Sequence, residues 1–170
     1  SSLVTVKCYP WIRGDHFALI GDAAHAIVPF FGQGMNCGFE DCSVLNQLME
    51  EHGDDWAAIL QRFQELRKPD ADAIAELALT NFIEMRDRVG DPRFLLQKKI
   101  EAHFSRKYPG KWIPAYSQVT FSPQIRYSEA LRNSTRQESI MQQIMSLPDI
   151  DSTWDSEEVE QKMLSLIEGR

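Results

Sequence analysis

Residues 17–41 read FALIGDAAHAIVPFFGQGMNCGFED. Phe17-Ala18-Leu19-Ile20 is a short, continuous apolar run closed by Gly21-Asp22, the pattern of a strand buried on both faces in a parallel or mixed sheet. A strand that ends there sets the Asp22 carboxylate at the carboxyl edge of a sheet, where α/β folds bind ligands. A carboxylate in that place suits a hydroxyl donor such as a sugar or polyol, and Gly21 allows close backbone approach. Residues 21–34 hold three glycines and Pro29, too irregular for one regular element. Gly32-Gln33-Gly34-Met35-Asn36 then opens a helix expected over about 33–51, with Phe39, Val44, Leu45 and Leu48 facing inward. Glycines at such a start let backbone N–H groups reach a flat or anionic ligand, and a helix N-terminus favours negative charge. Gly32, Gly34 and Gly38 give GxGxxxG rather than GxGxxG and close no βαβ unit, so this is not the primary dinucleotide fingerprint. Taken alone, Gly-Asp after a strand is also what a simple turn uses.

Outward from this stretch, Leu3 to Cys8 alternates and is rich in β-branched residues, which predicts a strand before a turn at Gly14-Asp15. Two strands do not make a stable open sheet, so both are expected to pair with strands outside the chain, which would then begin mid-protein. Asp54 or Asp55 is placed to cap a helix carrying Trp56, Ile59, Leu60 and Phe63 that stops before Pro69. Asp70 is placed to cap a second, long helix to about Val89, broken by Gly90-Asp91-Pro92. Helices follow at 93–107, 127–146 and 155–168, with a short alternating strand at Tyr116 to Phe121. The expected organisation is 1–52, strands with the glycine loop and its helix; 53–126, a helical segment; and 127–170, terminal helices.

The hydrophobic fraction of 43% and charged fraction of 25% are those of a folded globular chain. A net charge of -7 argues against a general nucleic-acid binder, which needs a basic face. Cys8, Cys37 and Cys42 show no CxxC or metal-ligand spacing and read as free thiols that fill space. No run of apolar residues is long enough to span a bilayer.

The combination Gly21-Asp22-Ala23-Ala24-His25, Pro29, Gly32-Gln33-Gly34-Met35-Asn36 and Glu40-Asp41 resembles the second flavin-binding motif of the FAD-dependent aromatic hydroxylases. The resemblance implies an α/β fragment: one or two strands and the flavin-binding loop and helix of that fold, then a mainly α-helical C-terminal region. It implies that Asp22, beside Gly21, binds the ribityl chain of FAD, and that the loop from Pro29 to Asn36 (Gly32, Gln33, Gly34 and Met35 included) lies along the isoalloxazine ring. The following helix would aim its N-terminus at the end of the ring where charge gathers on reduction. His25 belongs to the motif as a structural imidazole.

Val28 to Asn36, Asn81-Phe82-Ile83-Glu84-Met85, and Ile113-Pro114 followed by Tyr116 and Val119-Thr120-Phe121-Ser122 are similar to the kynurenine 3-monooxygenase branch, over roughly residues 16–132. That likeness implies hydroxylation of L-kynurenine at carbon 3 by O2, with NADPH reducing FAD, by way of a C4a-hydroperoxyflavin. Asn81 and Tyr116 match positions lining the kynurenine site, and Phe30, Phe31, Glu84 and Met85 match its neighbours. Asn81 interrupts an otherwise apolar helical stripe, which demands a partner. No catalytic residue and no metal ligand is assigned. The family's N-terminal GxGxxG unit is absent, so the expected partner is the N-terminal portion of the same enzyme. Eukaryotic members sit on the outer mitochondrial membrane, which makes membrane association a further expectation. The terminal helices, 127–168, are expected to cover the substrate pocket. Two alternatives remain open: a hydroxylase of another aromatic substrate, and a non-enzymatic helical interaction module.

Overall fold

The computed structural model describes residues 2–169 and divides into two compact units. The first holds the residues up to Phe82 together with Arg126–Ser128, and the second holds Ile83–Ile125 and the residues from Glu129 onward.

In the first unit, β1 (Ile12–Arg13) and β2 (Phe17–Ala18) form an antiparallel ribbon in which Ile12 faces Ala18 and Arg13 faces Phe17. Gly14 turns the chain between them at φ 64. The expectation of a strand buried on both faces is not met: β2 is two residues long and Phe17 is 56% exposed. Leu3 to Cys8 forms no strand either. A strand needs a ladder partner, and the backbone bond to that stretch from outside is Val6 N–H to the Ala26 carbonyl at 2.8 Å.

Three helices complete this unit. α1 (Asp22–His25) is a single turn, α2 (Gly34–His52) follows the loop, and α3 (Trp56–Ile83) is long. The Asp55 carboxylate caps α3 by accepting from Ala58 N–H at 3.1 Å, as its place before the apolar run requires. On α2, Cys37, Asp41 and Leu48 are buried, whereas Phe39, expected to face inward, is 63% exposed.

The break expected at Pro69 does not occur. Proline inside a helix forfeits one backbone bond and costs about 3 kcal/mol, yet α3 runs through it. Its flanks are buried on both sides, through Ile59, Phe63 and Arg67 before it and Asp70, Ala71 and Ile74 after it, and this tertiary packing outweighs the local penalty. Asp70 therefore caps nothing on α3.

The second unit opens with a π-helical turn, Glu84–Arg88, followed by α4 (Pro92–Lys107), whose cap Asp91 accepts from Arg93 N–H at 2.9 Å. α5 (Ala115–Phe121) replaces the expected short strand. Within it the Gln118 amide is buried, donating to the Ile113 carbonyl at 2.7 Å and accepting from Asn133 at 2.9 Å. α6 (Tyr127–Met145), α7 (Ile150–Thr153) and α8 (Glu157–Glu168) follow, and α6 has its first two residues in the first unit. The core here is apolar, with Ile100, Phe104, Trp112, Met141, Ile144 and Met163 each no more than 2% exposed. Among the described residues, no helix is long and apolar enough to cross a membrane.

Candidate functional site

The site grows from Gly21. Its backbone sits at φ 58, ψ -142, a region that side chains rarely adopt. That twist points its N–H at the Asp41 carboxylate, 3.0 Å away on α2. It also delivers Asp22 to the surface, where the carboxylate is exposed and has no hydrogen bond or ion pair among the described residues.

Beneath this turn lies a buried ionic cluster. Asp41, fully buried, takes His25 Nε2 at 2.5 Å on the oxygen that also accepts from Gly21, and Arg67 Nε at 2.8 Å on the other. Arg67, 3% exposed, reaches the Cys37 carbonyl at 3.1 Å and Sγ at 3.4 Å, Glu40 at 2.9 Å and Asp70 at 3.5 Å. Burial alone would lower the His25 pKa, but the hydrogen bonds to Asp41 and Cys37 outweigh it and raise it to about 10. Burial works against the Asp41 charge as well, but hydrogen bonds from His25, Arg67 and the Gly21 N–H hold its carboxyl below the ordinary value. The result is a charged, internally paired core that ties the Gly21 turn to α2 and α3.

His25, Cys37 and Asp41 place three possible ligand atoms within 4.8 Å of one another. Both Asp41 oxygens are already used, and the Arg67 cation lies against Asp41 and Cys37 alike. A second cation has no favourable place beside that guanidinium, so the arrangement serves as a structural ion-pair cluster.

The loop above is pinned at separate points. Asn81 donates to the Phe30 carbonyl at 2.7 Å, which supplies the partner its apolar surroundings demanded. The Phe30 ring packs on Phe82 with centroids 4.4 Å apart, and Phe31 is buried. Gly32, at φ 66, closes a turn from its N–H to the Pro29 carbonyl at 3.1 Å, with Pro29 at the surface. Gln33 is 6% exposed, and its carbonyl oxygen accepts from Asn36 at 2.9 Å and from the Tyr127 hydroxyl at 3.1 Å.

α2 therefore starts with an uncapped end. Gln33 makes no side-chain cap bond, and no acidic residue stands in the first turn. Among the described residues the N–H groups of Gly34, Met35 and Asn36 have no acceptor, and they stand beside a Met35 side chain that is 71% exposed. A free carboxylate beside Gly21 at positive φ, a turn at Gly32 also at positive φ, and an uncapped helix start fit the ribityl and ring portions of a flavin.

The remaining expected residues lie in the second unit. Glu84 stands on the π-helical turn, half-buried and 3.6 Å from Lys98. Met85 is 57% exposed, and Tyr116, 52% exposed on α5, packs edge-on against Phe121. The structure brings Phe30 and Asn81 together in the first unit; Glu84, Met85 and Tyr116 belong to the other.

Sequence reasoning missed Arg67, Asp70 and Tyr127 and gave Asp41 no role beyond the motif. A usable sign existed. Arg67 falls four residues from Phe63 and Ala71 and seven from Leu60 and Ile74, in the apolar stripe of α3, and Asp41 falls between Cys37 and Leu48 on α2. Charges of opposite sign in facing apolar stripes point to each other.

The FAD binding domain family matches residues 6–78. The kynurenine 3-monooxygenase of Flavobacterium psychrophilum is 55% identical over all 170 residues, covering 100% of this chain and 38% of that protein. That of Flavobacterium johnsoniae is 55% identical over 99% of the chain and 37% of its own length. That of Anopheles gambiae is 48% identical over 84% of the chain and 29% of its own length. The chain thus spans little more than a third of the length of the curated bacterial relatives it matches. By its motif and by these matches, the chain is similar over its whole length to a part of the kynurenine 3-monooxygenases, and its first half matches an FAD binding domain.

Proposed function

We propose that the chain supplies one wall of the flavin site and one wall of the substrate site of a monooxygenase that uses FAD, NADPH and O2 to convert L-kynurenine to 3-hydroxykynurenine. The observation that carries this reading is the pairing of the unpartnered Asp22 carboxylate with the uncapped start of α2 on one pinned loop. FAD, when bound, supplies the redox chemistry that takes a hydride from NADPH and activates O2.

The chain's own residues bind, orient and exclude water. Asp22 accepts hydrogen bonds from the polyol chain, with Gly21 letting the backbone come close. The N–H groups of Gly34, Met35 and Asn36 favour negative charge at the ring. Phe30 and Phe31 offer an aromatic wall, and Asn81, which holds the Phe30 carbonyl, lines the substrate site beside it. Glu84, Met85 and Tyr116, which belong to the second unit, are proposed to touch the substrate on family likeness alone. The exposed apolar side chains of Leu3, Val4, Phe17, Met35 and Phe39 fit burial against the N-terminal portion of the same enzyme.

The test uses the full-length enzyme. NADPH oxidation should be stimulated by L-kynurenine, with 3-hydroxykynurenine formed and flavin bands in the purified sample. Stimulation by a different aromatic compound alone would change the substrate, and a full-length protein unable to bind flavin would end the reading.

A further inference from the structure

Gln33 stands at the start of α2 with its backbone at φ -102, ψ 0, so its position sets the first turn from which the free N–H groups emerge. Its side chain carries two opposed groups, and its surroundings choose between them. The carbonyl oxygen meets two donors, the Asn36 amide at 2.9 Å and the Tyr127 hydroxyl at 3.1 Å. Among the described residues the amide nitrogen meets the Phe31 carbonyl alone, at 3.4 Å. Turning the amide over would set its N–H groups against the Asn36 donor and leave a buried oxygen without its partners.

Tyr127 is itself fixed. It is 5% exposed, and each neighbour in sequence is tied to α3. Arg126 holds the Asp70 carboxylate from Nε at 2.9 Å and from Nη2 at 2.8 Å, and it reaches the Leu66 carbonyl at 2.7 Å. Ser128 N–H donates to the other Asp70 oxygen at 3.1 Å. Burial, with the nearby Glu40 charge, raises the pKa of the Tyr127 phenol, so the hydroxyl remains a donor. The loop is thus gripped at Phe30 by Asn81 and at Gln33 by Tyr127.

We infer that Tyr127 is a positioning residue for the hydroxylation: through its hydroxyl it fixes the Gln33 amide, and with it the loop and helix start proposed to meet the flavin. This rests on the function proposed above. A loop held from one side only loses the alignment that directs oxygen to the substrate, and reducing equivalents then escape as hydrogen peroxide.

The experiment is a partition measurement on the full-length enzyme, comparing wild type with Tyr127→Phe, which keeps the ring and removes one hydrogen bond. NADPH consumed, hydroxylated product formed and peroxide released are measured together. Tyr127→Phe should shift the ratio of peroxide to product by about threefold or more, the scale of one lost buried hydrogen bond. An unchanged ratio in a flavin-loaded variant would overturn the inference. Gln33→Met cuts the same link from the other side and serves if Tyr127→Phe does not retain flavin; a fully coupled Gln33→Met variant would overturn it equally. In the double variant the two effects should not add, because the Tyr127 bond that Tyr127→Phe removes is already among those lost in Gln33→Met, and simple additivity would contradict it. Failure of the functional reading would look different: the wild-type enzyme would then hydroxylate no aromatic substrate. If another aromatic compound replaced L-kynurenine, the same ratio would be read on that substrate.

Discussion

Each of the two units of this chain is held together internally by its own means. The first has a two-strand ribbon, a one-turn helix and a long irregular loop, and its interior contains Asp41, His25, Arg67, Asp70, Gln33 and Gln64. The second is helical and closes over Ile100, Phe104, Trp112, Met141 and Ile144. The contrast follows from what each must present. Helices satisfy their own backbone, so side chains alone can seal them. A loop proposed to keep N–H groups and a carboxylate for a ligand has to be fixed from below, by directed bonds.

Asp41→Ala should break the first unit hardest. It leaves His25 and Arg67 buried without their shared partner, and uncompensated buried charge costs about 3–5 kcal/mol. Urea denaturation of the full-length enzyme would measure this, and loss of bound flavin should accompany it. An Asp41→Ala enzyme as stable as wild type would remove the distinction between the units.

Met141→Ala is the matching cut in the second unit. Met141 is fully buried, and its truncation should cost about 2–4 kcal/mol through lost contacts and a cavity. Flavin affinity should change little. If flavin were lost as readily as in Asp41→Ala, the two regions would not be separable in function.

Much of the loop was readable in advance because its chemistry is local. Gly21-Asp22 and Gly32 to Asn36 state their backbone needs in consecutive residues, and α2 begins where the glycines end. The support beneath was harder to read, since Asp41, His25 and Arg67 come from three elements and only the fold brings them within bonding distance. Pro69 misled because local helix cost was set against nothing, while burial on both sides decided the outcome. Tyr116 to Phe121 misled because alternation over six residues cannot tell a strand from a short helix whose buried polar residue, Gln118, finds its own partners. The proposed substrate residues were legible mostly as likeness, because Asn81 showed only as a break in an apolar stripe and Tyr116 carries no pattern of its own.

The acid–base behaviour gives a gentler probe of the same contrast. His25 has its pKa raised from 6.5 to about 10 in the folded chain. A raised pKa stabilises fully below the unfolded value and is lost as pH climbs through the folded one. Stability of the first unit should therefore decline between pH 7 and pH 10, and a His25→Gln enzyme should show a flatter profile over that window. Urea midpoints measured across the range decide it; identical profiles would mean that the imidazole does not carry the charge.

Asp22→Ala should have the smallest effect on stability, within about 0.5 kcal/mol, because an exposed carboxylate without partners holds nothing in place. Its effect on the ligand is what matters most. FAD titrated into the flavin-stripped full-length enzyme, followed by quenching of flavin fluorescence, should show a Kd about tenfold weaker than wild type, equivalent to ~1.4 kcal/mol. An unchanged Kd in a fully folded Asp22→Ala enzyme would contradict the claim that this loop forms the flavin wall.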